Sequence, residues 1–147
     1  MKCFTLAAAG ILFTFLITVN KASSNSEIDE LIKKSMEETF KACKDKLTPE
    51  NFALLNKDPH ADNQEIKCFK ACGMNHAGVM TDGKLQIDKM EEKLNSMLEG
   101  GKKDFAKVLI EGAKPCVEEA NKGENECEVA AAFETCAQKA INTKSGN

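Results

Sequence analysis

Apolar residues recur along most of this chain at intervals of three and four, the spacing of one face of a helix. Ile28, Leu31, Ile32, Met36, Phe40, Cys43 and Leu47 share such a face, with Lys33, Lys34, Glu37 and Lys41 opposite. Thr48-Pro49-Glu50 predicts a fresh start, with Thr48 as N-cap and Pro49 in the first helical position, leading into a short helix that carries Phe52, Leu54 and Leu55. After a loop from Lys57 to Ala61, Asp62 and Glu65 read as a capping box. They open a helix bearing Ile66, Cys68, Phe69, Cys72 and Met74 and ending at Gly78. Thr81-Asp82-Gly83-Lys84 reads as a turn. Asp88 with Glu91 reads as a second capping box, for the stripe Ile87, Met90, Leu94, Met97 and Leu98 that Gly100-Gly101 stops. The next helix carries Phe105, Val108, Leu109 and Cys116, and Pro115 predicts a kink or break between Gly112 and Pro115. Asn121-Lys122-Gly123 is a loop before a last helix with Val129, Phe133, Cys136, Ala140 and Ile141. The polar tail from Asn142 is expected to be mobile. No stretch alternates with period two for long enough to be a strand. The class is all-α, a compact bundle of about six helices.

The N-terminus has a different pattern. Met1-Lys2 is a short positive start, Phe4 to Val19 is almost unbroken apolar sequence, and Ala22-Ser23-Ser24 offers small residues for cleavage. That is the signature of a secretory signal peptide over residues 1–24, leaving one domain at 25–147. A membrane anchor fits less well, because the run is short for a span and lacks a stop-transfer pattern. No other segment is long and apolar enough to enter a bilayer. Removing Lys2 and Lys21 from the 20 lysines leaves 18 against 23 acids, a formal charge of −5. Arg, Trp and Tyr are absent and the lysines are interspersed with acids, which argues against nucleic acid as a partner.

Cysteine changes the picture further. Cys3 leaves with the signal segment, and Cys43, Cys68, Cys72, Cys116, Cys127 and Cys136 remain, separated by 24, 3, 43, 10 and 8 residues. An even set in a small exported chain reads as a disulfide framework, here of three bridges. Cys68 and Cys72 sit one turn apart on one helix, and Cys127 and Cys136 lie about 13 Å apart along another, so neither pair can close. Ten of the 15 pairings survive. In each of them the helix of Cys68 and Cys72 is bolted to the rest of the domain by two bridges. Bridges stabilise a hollow interior and a solid one equally well, so both readings stand at this point.

The cysteine order resembles the insect odorant-binding protein family in its six-cysteine form, over essentially the whole domain. The three-residue and eight-residue gaps are its most specific parts. Lys67-Cys68-Phe69-Lys70-Ala71-Cys72 and Met80-Thr81-Asp82-Gly83-Lys84-Leu85 also look like the family. The resemblance implies six helices around an apolar cavity and the pairing Cys43–Cys72, Cys68–Cys127 and Cys116–Cys136. It implies a soluble, extracellular carrier that takes small hydrophobic ligands, odorants or pheromones, through aqueous lymph to membrane odorant receptors, with no cofactor. Some relatives insert a long apolar C-terminal segment into the cavity. Here only eleven residues follow Cys136 and Ala137–Asn147 is mostly polar, so no inserted seventh helix is expected.

The helical stripes supply the candidate lining. Met36 and Phe40 come from the first helix, Leu55 from the second, Phe69 and Met74 from the third, and Met80 and Leu85 from either side of the turn. Met90, Leu94, Met97 and Leu98 follow, then Phe105, Val108 and Leu109, then Val129 and Phe133. Met36, Met74, Met80, Met90 and Met97 make a deformable surface suited to ligands of varied shape. Ser35, Thr39, Ser96 and Thr135 are the modest polar handles for an alcohol, aldehyde or ester. Two rival functions share these features: a general lipid or hormone carrier of haemolymph, reproductive fluid or saliva, and a stapled interaction module with a filled core.

Other chemistry fits poorly. Cys68, Cys72 and His76 share a helical face, but thiolates outside the cell oxidise and no fourth zinc ligand is evident. Aligning Gly83 with the turn glycine of a calcium loop puts Gly78, Met80 and Lys89 where carboxylates belong. Neither His60 nor His76 has a nucleophile motif to serve, and the pairs Glu37-Glu38, Glu91-Glu92 and Glu118-Glu119 read as solvated charges. No N-x-S/T acceptor occurs. No catalytic residue and no metal site is expected.

Overall fold

The computed structural model describes residue 34 and residues 37–58, 60–97 and 103–145. The expected signal segment, Ile28, Leu31 and Ile32 lie outside them. Helix α1, described over residues 37–43, tightens into one 3-10 turn at Lys44–Lys46. Five more helices follow: α2 Pro49–Lys57, α3 Gln64–His76, α4 Ile87–Met97, α5 Lys103–Ala120 and α6 Glu126–Ser145. Between α3 and α4 stands a hairpin of two-residue strands, β1 Met80–Thr81 and β2 Lys84–Leu85. The fold is a compact all-α bundle. Among the described residues no helix is long and apolar enough to cross a membrane.

Local chemistry fixes each boundary. Thr48 caps α2 as expected, its Oγ1 accepting from Asn51 N, with Pro49 at the first position. For α3 the expected box of Asp62 and Glu65 is replaced by Asn63, whose Oδ1 accepts from Ile66 N at 3.0 Å. Glu65 turns away and accepts from Thr48 N instead, fastening the start of α3 to the start of α2. The Thr48 backbone N–H, with help from the Asn51 side chain, holds the Glu65 carboxyl below its ordinary range. Gly78, at φ +77°, ends α3, and Val79 N reaches back to Met74 O at 3.1 Å.

The expected turn is the tip of the hairpin. Asp82 at φ 51° and Gly83 at φ 75° give the twist that a two-residue connection requires. Met80 pairs with Leu85 and both side chains point inward, so an element too short to show an alternating pattern still contributes to the core. The expected box at Asp88 and Glu91 gives way to a start two residues earlier, with Gln86 in the cap position: Met90 N donates to Gln86 O at 3.0 Å.

Pro115 does not break its helix. α5 runs unbroken through it, because the bond that proline forgoes would reach Glu111 O. Pro115 and Glu111 are both exposed, so the forgone bond falls on the solvent side of the helix. Asn125 caps α6, its Oδ1 accepting from Glu128 N at 3.1 Å. The tail is also more ordered than its polarity suggests, since α6 continues as helix to Ser145.

Three disulfides tie these elements together with the pairing that the family resemblance implies. Cys43–Cys72 joins α1 to α3 (Cα–Cα 5.9 Å), Cys68–Cys127 joins α3 to α6 (4.4 Å), and Cys116–Cys136 joins α5 to α6 (5.4 Å). Helix α6 packs against α3 and α5, and α4 packs against α5.

Candidate functional site

The apolar sides of α3 to α6 and the hairpin converge on one cluster. Met74 enters from α3, Met80 and Leu85 from the hairpin, Met90 and Leu94 from α4, Leu109 from α5, and Val129 and Phe133 from α6. Met97 packs half-buried against it. Leu55 and Phe69 belong instead to a second cluster, with Cys43 and Ile66, beside the Cys43–Cys72 bridge. Phe40 touches both clusters. Val108 is 55% exposed. Ala106, Leu109, Ile110 and Ala113 form the inward stripe of α5, and position 108 falls opposite. Met36, Leu98 and the side chain of Phe105 lie outside the described residues.

The polar handles sit elsewhere. Thr39 is buried where α1 crosses α3 closely: a Cβ added at Gly73 would stand 3.1 Å from its Cγ2. Ser96 and Thr135 are exposed and bond to carbonyls of their own helices, Lys93 O at 2.7 Å and Ala131 O at 3.0 Å. Ser35 lies outside the described residues. His76 is exposed at the end of α3, and its zinc partners Cys68 and Cys72 are both consumed in disulfides. His60 is exposed, its Nε2 3.0 Å from Gln138 Nε2.

Two features were not foreseen. Lys70 and Glu134 form an ion pair at 2.5 Å between α3 and α6, with side chains 4% and 8% exposed, and Lys70 also donates to Ala61 O at 3.1 Å. The signal was present: Lys70 is four residues from both Ile66 and Met74, on the apolar side of α3. The second feature is a groove of about 330 Å³ between α4 and α5. Glu91 and Asn95 form one wall, and Asp104, Lys107, Glu111 and Lys114 the other, over Ile110. Singly these residues look like ordinary solvated charges.

A stapled helical bundle with a methionine-rich apolar interior is the architecture described so far, and the comparisons give its family. Residues 25–140 match the model of the PBP/GOBP family. Over 137 residues the chain is 31% identical to general odorant-binding protein 56a of Drosophila melanogaster, spanning 92% of this chain and 91% of that one. The chain belongs to the PBP/GOBP family, the insect odorant-binding proteins. That is a family of soluble carriers rather than enzymes, and three disulfides suit the extracellular setting in which its members work. No solved structure matches the chain.

Proposed function

We propose that this protein is secreted and carries small hydrophobic molecules, odorants or pheromones, through aqueous lymph to membrane receptors. The observation that carries the reading is the convergence of Met74, Met80 and Met90, from three separate elements, in one buried apolar cluster. Unbranched thioether side chains repack around guests of different shape at little cost. The family match begins at residue 25, next to the end of the expected signal segment, which supports export.

The driving force is desolvation of the ligand. Burying roughly 300–400 Å² of ligand surface at ~25 cal/mol/Å² offers roughly 8–10 kcal/mol before the costs of association. The expected result is permissive binding with Kd in the micromolar range. Titration of the purified protein with an environment-sensitive apolar dye, followed by displacement with medium-chain alcohols and esters, measures it. A dye signal that never saturates, or that no such compound displaces, overturns the proposal. Mass spectrometry of compounds that co-purify with the native protein then identifies the ligand.

A further inference from the structure

The groove between α4 and α5 has a construction that purely apolar carriage leaves unused. Along α5, Asp104, Lys107, Glu111 and Lys114 recur at steps of three, four and three, forming one stripe of alternating sign. Successive opposite charges are therefore offset by about 4.5–6 Å along the helix axis. Glu91 and Asn95 face them from α4, one turn apart. Among the described residues none of these five charges forms an ion pair. Lys107 and Glu111 stand at the spacing at which side chains on one helix commonly meet, yet remain apart. Beneath them lies Ile110, 3% exposed, which belongs to the main apolar cluster together with Met90 and Leu94. The groove thus has charged walls of both signs and a floor continuous with the core.

We propose that this groove is the headgroup subsite and entrance of the carrier, and that it selects amphiphiles with a zwitterionic head on a single aliphatic tail. The proposal rests on the carrier reading above. The head's cation lies between Glu91 and Glu111 while its anion reaches Lys107 or Lys114, and the tail passes Ile110 towards Met90 and Leu94. A neutral alcohol with the same tail makes none of the charge contacts. A purely anionic head meets three carboxylates against two lysines and is disfavoured.

Dye displacement by decylphosphocholine, decanol and decyl sulfate, each below its micelle concentration, tests this. Decylphosphocholine is expected to displace the dye at about one-tenth the concentration decanol needs, the sum of two or three modest charge contacts, with decyl sulfate weaker than decylphosphocholine. Lys107→Glu with Lys114→Glu removes that advantage and leaves decanol unchanged. Glu91→Gln with Glu111→Gln removes it too, without adding charge, and all four substituted positions are exposed, so the fold is retained. Equal displacement by decylphosphocholine and decanol in the wild type, or a preference that survives both double substitutions, overturns the subsite. Failure of every compound, decanol included, overturns the carrier reading and the subsite with it.

Discussion

Lys70 and Glu134 are the one place among the described residues where opposite charges meet inside the bundle, and their energetics differ from those of the surface pairs. Taking both groups out of water costs several kcal/mol each, and the attraction offsets this only because the contact is close and Ala61 O accepts a second N–H of Lys70. Removing one partner leaves the other charged, buried and unanswered. Lys70→Met alone is expected to lose about 3–5 kcal/mol of stability, and Glu134→Leu alone a similar amount. The double replacement should return to within about 1 kcal/mol of the wild type, since two apolar side chains fill the same space without the desolvation cost. Urea unfolding of the four proteins measures the coupling, and additive losses would show that the pair is not a unit. By contrast Lys89–Glu92 and Lys122–Glu119 stand in water on single helices and contribute little. The placement of Lys70 among apolar neighbours was legible in the sequence. Its partner was not, because that choice depends on how α3 and α6 cross.

The same division holds among the elements. Helical periodicity located every helix from α2 onward, since the core selects one face of each regardless of detail. Boundaries were less legible where neighbouring side chains compete: Asn63 rather than Asp62 caps α3, and Glu65 is drawn off by a backbone N–H seventeen residues away. The hairpin was invisible to periodicity, and its stability comes from outside itself. Asn121, in the turn between α5 and α6, accepts from Leu85 N at 2.8 Å and donates to Leu85 O at 3.0 Å, acting as a third strand one residue long. Lys84 reinforces the joint by donating to Asn121 O and Gly123 O. Asn121→Ala strips Leu85 of both partners and is expected to cost about 2–3 kcal/mol, with faster hydrogen exchange at the Leu85 amide. Asn121→Asp keeps the acceptor for Leu85 N but sets a carboxylate oxygen against Leu85 O, so less than half the loss should return. Equal loss in both variants would mean that the turn, not the pairing with Leu85, sets the stability. The groove was hard to read for a related reason: its two walls come from separate helices, and only their packing turns scattered charges into a lined cleft.

At the scale of the whole molecule the three bridges divide the labour unequally. Their closed loops span 29, 59 and 20 residues, so chain entropy alone assigns each about 3–4 kcal/mol, with Cys68–Cys127 the largest. Location argues for a different kind of response at Cys43–Cys72. That bridge lies in the second apolar cluster, which joins α1 and α2 to α3, whereas the other two lie on the α3, α5 and α6 frame around the main cluster. Opening it releases one layer while leaving the main cluster its own staples. Replacing Cys43 and Cys72 by Ala is therefore expected to loosen α1 and α2 selectively: their amides exchange by local opening while those of α5 and α6 keep near wild-type protection. Replacing Cys68 and Cys127 by Ala instead lowers the global stability by about 4 kcal/mol, and protection falls in every helix together. Hydrogen exchange read helix by helix, with all remaining bridges verified by mass, separates the two outcomes. Uniform loss of protection in both variants would show a single cooperative unit in which loop length alone ranks the bridges. Selective loss at α1 and α2 would show that the frame holding the main apolar cluster stands without the layer packed on it.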